Sequence, residues 1–236
     1  MNHHNFLFND GVLMLRRLFT LIFVLELGIF IAVSLLNIRD QELLNAFKSE
    51  QQSITSQGLF SMIISIFPHN LMVATIEFIP VIGQIFFIIS SVDTALIIAI
   101  EGSSLHTSGF FVFLSLAILP HTWLELPSYA VATSTSIYLL YLLKRRGSVL
   151  RSNITKVLFM YLFVVLELAV AGVFESTEIY FSRIYPAPDN VLYPLLLWIG
   201  AVPALYGLYR LYRKIDKNEY PRKEQLPEGV QEFQGQ

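Results

Sequence analysis

The sequence contains no cysteine. This absence excludes disulfide bonds, thiolate metal sites and a cysteine nucleophile. Charge is scarce as well, because only 14% of the residues are Asp, Glu, Lys or Arg, whereas 54% are hydrophobic. Glycine-rich phosphate loops, redox motifs and nucleic-acid-binding patterns are also missing, so we expect no nucleic-acid partner. The composition is that of an integral membrane protein rather than an ordinary soluble domain.

The apolar runs predict an all-α membrane protein with about six transmembrane helices, some of them broken or kinked at Pro-His segments. A helix of about 20 apolar residues crosses a hydrocarbon core of roughly 30 Å. The runs cover residues 18–36, 59–101, 110–143, 156–180 and 191–212. The second is long enough for two spans. The third run, 110–143, is too long for one straight helix. We therefore expect a helix broken between Pro120 and Pro127 or a half-span that dips in and returns.

The chain divides into three parts on this interpretation. Residues 1–17 form an interfacial N-terminal segment with a short helix, 18–212 form the polytopic transmembrane domain, and 213–236 form a cytoplasmic polar tail. The polar stretch 37–58 carries apolar residues at helical spacing and predicts a short amphipathic surface helix.

Basic residues predict the orientation in the cell membrane. With six crossings, one side of the membrane holds Arg16 and Arg17, a basic loop over 144–156 and the basic residues after 209. The other side holds only Arg39, Lys48 and Arg183. Short cytoplasmic loops are enriched in Lys and Arg, so we expect both termini in the cytoplasm. The glycosylation acceptor sequence at Asn153 should then remain unmodified.

The most unusual stretch is 119–130, which places His121 and Glu125 between Pro120 and Pro127 inside an apolar region. Ionisable groups at membrane depth are costly unless they are paired or wetted, so they mark functional or structural sites. His121 and Glu125 are four residues apart and share one helix face. We expect them to hydrogen-bond to each other and to fix a helix break, with a proton or ion path and a catalytic metal as alternatives.

A second segment resembles the first, with Pro68, His69 and Asn70 followed by Glu77 and Pro80, which suggests an internal repeat. Together the two segments predict a buried polar cluster of His69, Asn70, Glu77, His121, Glu125 and Glu175. Imidazole and carboxylate suit zinc or iron, but no His-Glu-x-x-His motif is present, so we assign no metal, no catalytic residue and no cofactor. Glu26 and Glu167 are expected to face each other or a water-filled gap.

Three stretches resemble a known family. Residues 120–130 resemble the Pro-His-x-x-x-Glu signature of the stage II sporulation protein M family of multi-spanning membrane proteins. Residues 66–74 resemble that family's Asn-containing segment, with Asn70 in the matching place, and 170–175 resemble its small-residue helix that ends in a glutamate. The resemblance covers about residues 15–212. It implies a membrane scaffold, since the family's namesake works with cell-wall hydrolases during engulfment of the forespore.

Three functions follow from these observations. The first is a non-enzymatic scaffold or anchor for envelope or membrane partners, the second an ion-coupled permease or carrier, and the third a metal-dependent intramembrane hydrolase. The absence of a complete catalytic constellation favours the first. Small residues at Gly28 and Ala32, and at Ala169 and Gly172, offer close-approach surfaces, so we also expect a homodimer.

Overall fold

The computed structural model describes residues 6–9, 12–145 and 147–217. These residues form a short antiparallel pair of strands, β1 (Phe8–Asn9) and β2 (Val12–Leu13), followed by helices. The helices are α1 (Leu15–Ser34), α2 (Gln41–Thr55), α3 (Leu59–Glu77), α4 (Ile82–Ser104), α5 (Gly109–Ala117), α6 (Thr122–Arg145), α7 (Gly147–Ile184), α8 (Asp189–Leu196) and α9 (Trp198–Asp216).

Six helical stretches of the described chain are long and apolar enough to cross a membrane. They are Leu15–Ser34, Leu59–Glu77, Ile82–Ser104, Thr122–Arg145, Asn153–Ile184 and Asp189–Asp216. The last combines α8 and α9. The predicted all-α membrane fold is therefore confirmed, and the apolar run 59–101 does contain two spans.

The termini of the spanning helices lie at two opposite ends of the bundle. At one end, Phe8 contacts Tyr141 near the end of α6, and Lys156 of α7 pairs with Asp216 of α9, with Nζ and Oδ1 2.7 Å apart. This basic end also carries Arg16 and Arg17 of α1, Lys144 and Arg145 of α6, and Arg213 and Lys214 of α9.

At the opposite end, Oγ of Ser103 in α4 donates to Oδ1 of Asn37, which follows α1, at 3.1 Å. Nη1 of Arg183, near the end of α7, donates to the carbonyl of Gln57 before α3 at 2.9 Å. These contacts show that successive spans run antiparallel. The first described span begins at the basic end and the last one ends there.

The fourth span is broken at Pro120. Helix α5 ends at Ala117 and α6 starts at Thr122, and Pro127 lies inside α6. Only one of the two expected prolines therefore breaks the span. Phe113 of α5 packs on Phe30 near the far end of α1, whereas Tyr141 of α6 packs on Phe8 of β1, which precedes the start of α1. Helices α5 and α6 thus continue in one direction along α1, which excludes the half-span that returns.

Side chains satisfy the carbonyl groups that this break frees. Oγ1 of Thr122 donates to the carbonyl of Leu116, Nε1 of Trp123 to that of Ala117, and Nε1 of Trp198 to that of Ile118, each at 2.8 Å. Broken helices are tolerated at membrane depth only where neighbouring groups supply such partners. Trp198 also ties the break to the last span.

The α3–α4 turn has the same backbone hydrogen bonds as this break. The amides of Phe78 and Ile79 donate four and three residues back, as do those of Ile118 and Leu119. Pro80 therefore corresponds to Pro120. The sequence suggested that Pro68-His69 corresponds to Pro120-His121. The structure does not support this correspondence, because Pro68 lies inside α3.

Three further predictions differ from the structure. The short N-terminal helix is replaced by β1 and β2 in the described part of 1–17, and residues 1–5 and 10–11 lie outside the described residues. The basic stretch 144–156 is mostly helix rather than loop, since α7 starts at Gly147 and, with 38 residues, is roughly 57 Å long. The tail beyond 217 also lies outside the described residues. The amphipathic helix in 37–58 is confirmed as α2.

The core lies between α1, α6 and α7. Leu124, Leu142, Met160, Val164 and Leu168 are fully buried there. Helix α6 also buries a run of small hydroxyl side chains, and these let neighbouring helices approach closely. They are Thr133, Ser134, Thr135 and Ser136.

Candidate functional site

Glutamates are concentrated in the interior of the bundle. Glu26 and Glu77 are each 1% exposed, Glu178 is 3% and Glu167 5% exposed. Glu125 and Glu175 are partly buried beside them. Each isolated ionised group costs several kcal/mol at membrane depth, so the partners of these side chains decide what the cluster does.

The pair at the centre of the site joins His121 to Glu178. Nδ1 of His121 contacts Oε2 of Glu178, and the backbone amide of His121 donates to Oε1 of the same carboxylate at 3.3 Å. The expected hydrogen bond between His121 and Glu125 is therefore wrong. The reason is the break at Pro120, because His121 precedes α6 and its side chain is directed across to α7 rather than along the helix to Glu125.

Glu125 has a different partner. The hydroxyl of Tyr129 donates to its Oε1 at 2.9 Å, one helical turn along α6. Glu175 of α7 lies close enough to His121, Glu125 and Glu178 to interact electrostatically with all three. The structure therefore brings His121, Glu125 and Glu175 close to one another and to Glu178.

Sequence reasoning missed Glu178 as a site residue although the signal was present. Glu178 lies three residues after Glu175, and side chains at that spacing share a helix face. Both carboxylates therefore had to point towards the same neighbour once Glu175 was assigned to the interior.

Glu167 is bound by a serine. Oγ of Ser128 in α6 donates to Oε2 of Glu167 at 2.9 Å and also contacts the carbonyl of Leu124 at 2.8 Å. Glu26 lies instead beside Glu77 and Glu125, close enough for their charges to repel. The expectation that Glu26 and Glu167 face each other is therefore wrong, whereas the alternative, that they face a water-filled gap, stays a prediction.

Glu77 lies at the end of α3, next to the turn into α4. Oγ of Ser90 donates to its Oε1 at 3.2 Å. Asn70, about two turns earlier on α3, is 7% exposed. His69, by contrast, is exposed on α3 and lies apart from the buried cluster.

Two observations limit the chemistry of the site. Within residues 6–9, 12–145 and 147–217, no group of three or more His, Asp or Glu side chains is placed to hold a metal ion. A groove of about 190 Å³ lies between α1, α5 and α6, and apolar side chains such as Phe23, Phe113 and Trp123 line it. The arrangement joins helices through buried polar contacts and presents carboxyl and hydroxyl oxygen atoms to its centre.

The chain is similar to a known protein family. The model of a family described as Stage II sporulation protein M matches residues 18–177. No curated protein and no solved structure matches the chain.

Proposed function

Because the chain belongs to the stage II sporulation protein M family, we propose that it is a non-enzymatic scaffold that anchors envelope-associated partners in the cell membrane. The observation that supports this role is the pairing of buried polar side chains between α7 and the broken span formed by α5 and α6. His121 is held by Glu178, and Ser128 holds Glu167. A polar network whose members are paired rigidifies a bundle and fixes one arrangement of its helices.

Helix α2 is the part of the chain that partners would bind. It is the longest described helix outside the six spans and lies at the end of the bundle opposite the basic end. Its Leu44 is buried, whereas the rest of its surface is mostly exposed and carries Glu42, Lys48 and Glu50. We propose that envelope partners bind this polar face.

Site-specific photo-crosslinking tests this role. A photoreactive residue at the exposed Gln51 or Gln52 of α2 is expected to yield repeated adducts with envelope-associated proteins in intact cells. The matched control is the same residue at Val202, 58% exposed on the apolar last span, which should yield lipid or no adducts. The proposal fails when the α2 positions give no envelope protein and deletion of the chain leaves the envelope unchanged.

We further propose a symmetric homodimer built on α1. Gly28 and Ala32 are both exposed, and a Cβ atom added to Gly28 meets nothing within 4 Å. The other predicted face is already used inside the chain, since a Cβ atom on Gly172 would lie 3.2 Å from Cβ of Phe67. Close-approach glycines on an open helix face favour helix association.

Mass measurement of the detergent-solubilised protein tests the dimer. Gly28→Ile should convert dimer to monomer, and Gly207→Ile, at an equally open position of α9, should leave the dimer intact. A wild-type protein that is monomeric at every concentration contradicts the dimer, and a dimer that persists in Gly28→Ile contradicts the α1 face.

An ion-coupled carrier is the second candidate. The break at Pro120 and the buried carboxyl groups of Glu26 and Glu77 favour it, because broken helices and midplane carboxylates mark many transport sites. Purified protein in liposomes would then dissipate an imposed proton or Na⁺ gradient. Glu77→Gln should abolish this flux, and Glu42→Gln on the surface helix should leave it unchanged. Tight liposomes containing wild-type protein support the scaffold.

A further inference from the structure

One oxygen-bearing side chain from each of four helices meets in the interior. These are Glu26 of α1, Glu77 of α3, Ser90 of α4 and Thr133 of α6. Oγ of Ser90 donates to Oε1 of Glu77 at 3.2 Å. The carboxyl group of Glu26 and the hydroxyl of Thr133 both lie close enough to Glu77 to act on its charge. Glu26, Glu77 and Thr133 are each only 1% exposed.

Three oxygens of this group lack a partner. Within the described residues, Oε2 of Glu26, Oε2 of Glu77 and Oγ1 of Thr133 are buried without a hydrogen bond. Buried polar atoms are almost always bonded, so three unpaired oxygens at one place indicate that something is bound between them. The hydroxyl of Thr133 lies beside the carboxyl group of Glu77 and belongs to a different helix.

The charge of the group indicates what it binds. Glu26 is repelled by Glu77 and Glu125, and His121, the basic side chain of the neighbouring cluster, is already paired with Glu178. Like charges at this depth need a positive partner. Oxygen ligands suit hard cations. A shared proton links only two oxygens, whereas a cation is contacted by three or four at once.

We propose that Glu26, Glu77, Ser90 and Thr133 bind one Na⁺ ion between α1, α3, α4 and α6. The ion would neutralise the carboxylates and join the four helices that contribute them. This inference does not depend on whether the chain is a scaffold or a carrier, since a bound ion stabilises the bundle in either case.

Thermal unfolding of the full chain in lipid nanodiscs tests the proposal. Protein dialysed to equilibrium in NaCl is compared with protein in choline chloride at equal ionic strength and fixed pH. When Na⁺ exceeds its Kd about 100-fold, linkage predicts an increase in Tm of roughly 5–10 °C. Elemental analysis after rapid desalting should find one Na per chain. Equal Tm values in both salts, or no retained Na, overturn the proposal.

Variants locate the ion. Thr133→Val keeps the side-chain shape and Glu77→Gln keeps its size, and both should remove the Na⁺-dependent increase in Tm. Glu167→Gln, in the same core but bound by Ser128, should keep it. A variant that fails to fold is replaced by Ser90→Ala, whose Tm should respond to Na⁺ with an affinity at least tenfold lower. An Na⁺ response that survives Thr133→Val and Ser90→Ala, or a Tm that responds to pH alone, overturns the site.

Discussion

The imidazole of His121 and the carboxylate of Glu178 form an ion pair between side chains 57 positions apart in the sequence. His121 lies in the break that separates α5 from α6, and Glu178 lies in the long helix α7. The same carboxylate also accepts the backbone amide of His121 at 3.3 Å. Glu178 of α7 therefore binds both the side chain and the backbone of His121 in the broken span.

The first prediction concerns this pair. His121→Ala and Glu178→Ala should each lower the free energy of unfolding by about 3–5 kcal/mol, because removing one partner leaves the other buried and unpaired. The double variant should lose clearly less than the sum of the two. Thermal or denaturant unfolding in detergent measures all three.

The control for this cycle is the combination of His121→Ala with Glu125→Ala. Glu125 is bound by Tyr129 rather than by His121, so its coupling to His121 should be smaller than that of Glu178. A stronger coupling to Glu125 than to Glu178 would contradict the observed pairing.

The second prediction concerns Tyr129. Tyr129→Phe removes the hydroxyl that donates to Glu125 at 2.9 Å and should lower the free energy of unfolding by about 1–3 kcal/mol, since an acceptor is left unpaired at membrane depth. Tyr206→Phe is the control, because Tyr206 is 61% exposed on α9. Its unfolding temperature should match that of the wild type, and equal losses in the two variants would count against the hydrogen bond.

The third prediction concerns the turn between α3 and α4. A Cβ atom at Gly83 would lie 2.0 Å from the carbonyl oxygen of Glu77. Gly83→Ala must therefore shift the backbone, and such strain costs about 1–3 kcal/mol. In α9 a Cβ atom at Gly207 meets nothing within 4 Å, so Gly207→Ala should be neutral or stabilise the helix by roughly 0.5–1 kcal/mol. The melting curves of the two variants measure this difference in stability. A Gly83→Ala variant as stable as the wild type would contradict the close approach of Gly83 to the carbonyl of Glu77.

The fourth prediction concerns orientation. Because the chain has no cysteine, single cysteines at the exposed Ser104 and Lys217 can each be labelled without background. With the basic end in the cytoplasm, a membrane-impermeant maleimide added to intact cells should label Ser104→Cys and not Lys217→Cys. The reverse pattern would invert the bundle. The acceptor sequence at Asn153 is a poor reporter, since this side chain is 4% exposed and accepts a hydrogen bond from Tyr138 at 3.2 Å.

The number and type of spans follow from the sequence because hydrocarbon imposes a length and a composition on every helix that crosses it. The apolar run 59–101 had to contain two helices, and the proline at position 120 had to break or kink a helix. The polar stretch 37–58 likewise carried its helical spacing in the sequence alone. These features depend on neighbours along the chain and on the solvent, and both can be read from the residues in order.

The partners of the buried side chains were decided by tertiary structure. His121 and Glu125 share a face only on an unbroken helix, and the break at Pro120 turned His121 towards Glu178. His69 carries the same Pro-His step as His121, yet α3 passes straight through Pro68 and leaves His69 exposed. Glu26 meets Glu77 because α1 and α3 pack beside α6. Such contacts depend on which helices are adjacent and how far each is rotated about its axis, and a single sequence does not contain that information locally.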